Sequence, residues 1–283
     1  MIPDDIFDAL QKSAIITSNG NKLSSTIRVS NFYLPISSGY GSEIAPLYYI
    51  HSSFPTSSDA VFFGPDTYLF VAFLQTISKH MLQPPTYVVD MCCGSGAGAI
   101  HMARTYPRAK VFGLDLNPRA LSLGAVNARL AETTVIFQES NLYTAVPKKL
   151  KSGGIDLIVS NPPYIASSPN GEDLPVYADG GAEFGLDISL RIVEEGMKIL
   201  SSTGVIIVYT GVAIPADDPG HDAFLEKLER LEGVELVEYK ILHPDMWSEE
   251  IGRGAYAVAA RIQVVGAVLK KKAYLGAFSL QNN

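Results

Sequence analysis

The stretch Val88-Val89-Asp90-Met91-Cys92-Cys93-Gly94-Ser95-Gly96-Ala97-Gly98-Ala99 decides the fold. It reads as an apolar strand that ends in an acid, then a glycine-rich loop that opens into a helix. A loop that must pass close to a ligand needs residues without Cβ, and glycine supplies both clearance and positive φ. The helix behind the loop offers unpaired N–H groups. Nineteen residues after Gly96, Asp115 closes a second apolar run, Val111-Phe112-Gly113-Leu114-Asp115. An acid at that place can accept both ribose hydroxyls of a nucleoside. The first glycine slot of the dinucleotide pattern holds Cys92, which weakens a dinucleotide reading. No G-x-x-x-x-G-K-[ST] sequence occurs, so nucleoside triphosphate hydrolysis has no support.

Outward from this segment, strand-like runs at 87–90, 110–114, 135–138, 155–160 and 204–209 alternate with helical stretches at 99–105, 118–131, 186–200 and 221–231. Alternation at this spacing predicts an α/β fold with a doubly wound, mainly parallel sheet. Two further β-prone runs, 234–242 and 255–264, suit an antiparallel hairpin at the sheet's edge. Before the first strand, residues 66–81 look helical, with Pro65 in front and Pro84-Pro85 behind. The first 56 residues carry short β-prone runs (25–29 and 46–51) among Ser, Gly and Asn turns. The expected organisation is a smaller N-terminal substrate-shaping region over 1–82, a main domain over 83–265 and a tail over 266–283.

The 283 residues, 47% of them hydrophobic, suffice for one large domain with a smaller appendage. A mean hydropathy of +0.16 leaves room for a homodimer interface. No run of about 18 apolar residues appears, so no membrane span is expected. The N-terminal residues lack a basic segment followed by an apolar one; a cytoplasmic protein without a secretory signal is the expectation. The two cysteines, Cys92 and Cys93, are adjacent and read as small buried residues rather than a disulfide or a metal site. The net charge of −7 disfavours a broad nucleic-acid footprint.

The fourth strand, Gly154-Ile155-Asp156-Leu157-Ile158-Val159-Ser160, runs straight into Asn161-Pro162-Pro163-Tyr164. An amide or aromatic amine has a delocalised lone pair and attacks an alkyl donor poorly. The Asn161 side-chain carbonyl and the Pro162 backbone carbonyl can each accept a hydrogen from such an NH2 group. Those bonds orient the nitrogen and favour the pyramidal geometry that frees its lone pair. The prolines make the carbonyl directions rigid and leave no competing N–H. Tyr164 can stack on a planar substrate.

In this order, VVDMCCGSGAGAI, GLDLNPRAL and IVSNPPYI resemble the class I S-adenosylmethionine-dependent methyltransferases. More narrowly, they resemble the HemK-like protein glutamine methyltransferases that modify peptide-release factors. Residues 177–187 (YADGGAEFGLD) resemble that group's Gly-Gly-x-x-Gly-Leu-Asp segment, and residues 63–68 (FGPDTY) its Pro-rich, acid-bearing segment before the first strand. The resemblance implies a seven-stranded Rossmann-like sheet with S-adenosylmethionine as cofactor. Asp90, Gly94 and Gly96 would line the methionine part, with Cys92 in the first glycine slot. Asp115 would hold the ribose, Leu116 would pack beside the adenine, and Asn141, followed by Leu142, would face the adenine amine. Asn161, Pro162, Pro163 and Tyr164 would hold the substrate nitrogen beside the cofactor. Methyl transfer from a sulfonium requires neither a metal nor a strong general base.

This chain departs from that pattern at Asn141, where the family usually has aspartate, and in its β-leaning N-terminal region. The expected acceptor is a planar NH2 group, with glutamine of a protein favoured. Amino groups of adenine or guanine in DNA or ribosomal RNA, and a small planar metabolite, are the alternatives, because the Asn-Pro-Pro-Tyr motif serves amino-group chemistry broadly. His51, His80, His101, His221 and His243 show no metal-ligand spacing and are expected to be ordinary histidines. The segment 243–247, which holds the only tryptophan, Trp247, is expected to serve packing. Lys270, Lys271 and Lys272 are expected to form a solvated face.

Overall fold

The structure is a computed structural model that describes residues 3–20, 22–32, 46–54, 57–167 and 174–272. In chain order the elements are α1 (Asp4–Lys12), β1 (Ile16–Asn19), β2 (Lys22–Ser25), β3 (Ile27–Phe32), β4 (Leu47–Ser52) and α2 (Pro65–Leu74). There follow β5 (Tyr87–Met91), α3 (Ala97–Thr105), β6 (Lys110–Asp115), α4 (Pro118–Leu130), β7 (Ile136–Glu139) and β8 (Ile155–Ser160). Then come β9 (Ile165–Ala166), β10 (Asp179–Gly181), α5 (Ala182–Gly185), α6 (Asp187–Ile199), β11 (Leu200–Pro215), α7 (Ala223–Arg230), β12 (Val234–His243) and β13 (Ala259–Lys271).

Seven strands form one sheet in the order β12-β13-β11-β8-β5-β6-β7. β11, β8, β5, β6 and β7 pair in parallel, and β13 lies antiparallel between β12 and β11. This is the doubly wound sheet, with its edge hairpin, that the strand–helix alternation predicts. Strand residues alternate between two cores. Val88, Val111, Leu157, Val159 and Tyr209 pack with α2, α3 and α4. Val89, Met91, Phe112, Leu114 and Ile158 pack with α6 and α7. The helix expected over 66–81 ends at Leu74, and a separate short turn of 3₁₀ helix covers Ile77–His80.

Two boundaries differ from the sequence expectation. The N-terminal region is not walled off at 82, because Phe32, Leu47, Tyr49 and Phe70 share one core with Val88, Ile100 and Leu157. The last strand begins at Ala259 rather than 255, since residues 254–256 form a 3₁₀ turn entered through positive φ at Gly252 and Gly254. It then runs through 266 to Lys271, so the tail drawn from 266 starts inside a strand; Gly266 leaves room there for the Phe73 ring. Residues 273–283 of that tail lie outside the described residues. Of the three lysines, Lys272 is exposed, whereas Lys271 is half-buried and its Nζ donates to Leu200 O at 2.5 Å. Among the described residues, no helix is long and apolar enough to cross a membrane.

Candidate active site

Parallel strands all point their C-terminal ends to one edge, and the predicted site residues gather there. Asp90 is the penultimate residue of β5, Asp115 ends β6 and Asn161 follows β8. A single cavity of about 540 Å³ is bordered by Asp90, Cys92, Gly94, Asp115, Leu116, Asn141, Leu142 and Asn161 to Tyr164. Of the predicted residues only Gly96 is not part of its wall. Gly96 instead turns the loop at φ +83 as the N-cap of α3, and a Cβ there would press on the Phe137 ring.

The loop is built around two carboxylates. Asp90 is 1% exposed, and its Oδ2 accepts from Ala99 N at 2.7 Å, in the first turn of α3. Gly98 is glycine for a steric reason, because a Cβ would stand 2.8 Å from that same oxygen. Burial pushes the Asp90 carboxyl up to about 8; the Ala99 N–H opposes this and the charge of Asp115 adds to it. Asp115 accepts from Gly94 N at 2.8 Å and from Asn117 N at 2.9 Å, one on each oxygen. The Leu116 N–H also faces this carboxylate, which has about four lone-pair sites and so keeps acceptor capacity for a ligand hydroxyl. Cys92 has φ +58, in the left-handed region that favours glycine, which costs about 1–3 kcal/mol. Burial holds both thiols protonated.

Leu116 is 53% exposed although apolar, and it forms part of the cavity wall. Asn141 is exposed beside it, and Leu142 is buried with φ +46. Ser140 Oγ fixes this turn by donating to Leu142 O and accepting from Ala145 N. These residues fit an adenosyl group: an exposed apolar shelf, an amide, and an acid on the strand next to the one that leads into the glycine loop.

On the acceptor side, Asn161 is half-buried, and its side chain makes no hydrogen bond among the described residues. Tyr164 differs from expectation. Its ring is only 6% exposed, so it offers no open stacking face. Its hydroxyl donates to Asp66 Oδ1 at 2.5 Å and accepts from Trp247 Nε1 at 2.7 Å. Tyr209 donates to the same Asp66 oxygen at 2.6 Å. The glycine segment from Gly180 to Gly185 lies against this tyrosine. A Cβ on Gly180 would stand 2.6 Å from Tyr164 Cα, and one on Gly185 would collide with Tyr164 O.

Four contributors were not singled out by the motif: Asp66, Tyr209, Trp247 and Phe62. A signal existed for three of them. Asp66 lies in FGPDTY, Tyr209 follows directly on the aliphatic run 205–208, and Trp247 is the only tryptophan. Trp247 borders the cavity, so the segment 243–247 does more than pack. The histidines are ordinary: His51 bonds Ser30 Oγ, His80 pairs with Glu238, His221 pairs with Glu226, His243 accepts from Asp245 N, and His101 is buried.

The family model of the methyltransferase small domain matches residues 71–235, which spans the loop, both acids and the Asn-Pro-Pro-Tyr segment. The chain belongs to the methyltransferase small domain family. The cofactor of this methyltransferase domain is S-adenosylmethionine. Curated relatives include the release factor glutamine methyltransferase of Koribacter versatilis, 33% identical over 48% of this chain and 49% of that one. The ribosomal protein uL3 glutamine methyltransferase of Xanthomonas campestris is 35% identical over 44% of this chain and 42% of its own. The chain thus spans about half the length of these relatives. In fold it is similar to Trm5 of Methanocaldococcus jannaschii in complex with adenosine, with a TM-score of 0.52 and 16% identity over 89% of this chain and 60% of that one. It is equally similar to TYW2 of Pyrococcus horikoshii in complex with MeSAdo, with a TM-score of 0.52 and 14% identity over 88% and 73%.

Proposed function

We propose that the chain methylates a planar NH2 nitrogen, with the side-chain amide of glutamine in a cytoplasmic protein as acceptor. The observation that carries this reading is that Asn161-Pro162 opens onto the same cavity as Asp90 and Asp115. S-adenosylmethionine, when bound, supplies an electrophilic methyl group on a good leaving group. Asp115 and the Leu116 shelf are assigned to the nucleoside end, and Asp90 with the glycine loop to the other end. The unpartnered carbonyl of Asn161 and the Pro162 carbonyl accept the two amide hydrogens and aim the nitrogen along the cavity. Tyr164, pinned by Asp66 and by the glycine segment behind it, keeps those carbonyls from turning.

A protein acceptor suits the surroundings better than a polyphosphate. Glu250 and Asp179 border the cavity, and the chain carries a net charge of −7. The relatives named as glutamine methyltransferases point the same way. The test is mass spectrometry of candidate protein substrates after incubation with S-adenosylmethionine. One added methyl on a glutamine amide is the expected product; methylation confined to base amino groups of RNA or DNA would replace the protein acceptor.

A further inference from the structure

The loop between β12 and β13 reaches over the acceptor end from the far side of the sheet. It is anchored at its start, where Met246 N donates to Ile262 O at 2.7 Å and Asp245 Oδ1 accepts from Ile262 N at 3.4 Å. Trp247 then adopts φ +61, a conformation costly for a bulky side chain. Strain of this kind persists only where the surroundings hold it. What holds it here is the indole Nε1, which donates to Tyr164 Oη at 2.7 Å, and the tilted contact of its ring with Phe62, centroids 6.1 Å apart. Phe62 in turn stacks on Tyr177 at 5.3 Å and 10°. A second residue of the same loop, Tyr256, accepts from Ala166 N at 2.8 Å and donates to Tyr164 O at 3.4 Å. One loop therefore grips both ends of Tyr164.

The direction of these bonds matters. Trp247 Nε1 can only donate, so the Tyr164 hydroxyl must accept from it and spend its own hydrogen on Asp66. That fixes Tyr164 in one rotamer and one hydroxyl orientation, three residues from Asn161. Phe62, Trp247, Asp66 and Tyr164 all border the cavity.

We propose that Trp247 is a positioning residue for the acceptor clamp, acting through Tyr164 to hold the Asn161 and Pro162 carbonyls in place. This rests on the acceptor-side reading given above. The Trp247-to-Tyr164 contact itself can be tested without any acceptor. Trp247 is the only tryptophan, so intrinsic emission reports on this contact alone.

The experiment combines W247F, Y164F and the double variant in the full chain with two readouts. The first is acrylamide quenching of Trp247 emission in wild type and Y164F. The second is adenosylhomocysteine affinity together with kcat for methyl transfer to a glutamine-containing peptide. The expected result is stronger quenching in Y164F, with adenosylhomocysteine affinity within about twofold in every variant. W247F should lose about tenfold in kcat, since misplacement of a positioned group acts on the chemical step. The double variant should be no worse than Y164F, because the two side chains act through one bond. Unchanged quenching in Y164F, W247F turnover equal to wild type, or additive losses in the double variant would each overturn the proposal. If wild type methylates no glutamine peptide, the acceptor assignment fails; unchanged quenching then overturns the Trp247 contact and increased quenching upholds it.

Discussion

Asn127 on α4 closes both peptide groups of Ile50 on β4. Ile50 N donates to Asn127 Oδ1 at 2.7 Å, and Asn127 Nδ2 donates to Ile50 O at 3.0 Å. The same Nδ2 also donates to Ser95 O, in the glycine loop, at 2.9 Å. One fully buried amide thus ties the N-terminal hairpin to the cofactor loop. Its two donors and its acceptor are all used.

Asn127→Ala leaves the buried Ser95 carbonyl and the two half-buried peptide groups of Ile50 without this partner, and an unsatisfied buried group costs about 1–3 kcal/mol. The variant is expected to lose about 3 kcal/mol or more in urea unfolding and to bind adenosylhomocysteine more weakly. Wild-type stability with weakened binding would show that Asn127 serves the loop alone and not the hairpin.

Gly185→Ala addresses the glycine segment. The position has φ +86, and a Cβ would collide with Tyr164 O, which is backbone and cannot swing aside. Displacing Tyr164 displaces the clamp while leaving Asp90 and Asp115 in place. Methyl transfer is expected to fall by about 100-fold with cofactor affinity retained within a few fold. Retained turnover in Gly185→Ala, measured with labelled methyl donor, contradicts this account of the segment.

The Asp90 carboxyl makes stability depend on pH in an unusual direction. Burial raises it to about 8, and burial also raises Asp66 and Asp115. A carboxyl raised above its unfolded value contributes stability that is complete below that ordinary value and lost as pH rises through the folded value. Without cofactor, the chain should therefore lose on the order of a few kcal/mol between about pH 4 and pH 8. Asp90→Asn keeps an oxygen for Ala99 N and removes the charge, so its stability should vary less over that window. Urea unfolding at several pH values checks this; parallel curves for the two proteins would remove Asp90 as the cause.

How much of this was legible beforehand follows from the range of each interaction. The glycine loop, Asp115 and the Asn161–Tyr164 segment are local patterns, and all line up on one strand edge as their spacing implies. Cys92 was visible as a departure, and its φ of +58 supplies the reason glycine is usual there. The burial of Tyr164 is not legible locally because its hydroxyl partners are Asp66 and Trp247, each more than 80 positions away in sequence, and Tyr209 reaches it only by sharing the Asp66 oxygen. Hydroxyl partners across such separations leave no periodic trace. Trp247 was likewise legible as unusual but not as a donor to the clamp. The sequence run 255–264 stops short of the strand's true end at Lys271, and the space that Gly266 leaves for the Phe73 ring is a tertiary fact with no local signature.

The most direct measurement is methyl transfer from labelled S-adenosylmethionine to a glutamine amide, compared between wild type and Asn161→Ala, with adenosylhomocysteine affinity measured alongside. Wild type should place the label on the amide nitrogen. Asn161→Ala should bind adenosylhomocysteine within a few fold of wild type and lose on the order of 100-fold in turnover. Equal turnover in the two proteins would contradict the nitrogen clamp on which the account rests.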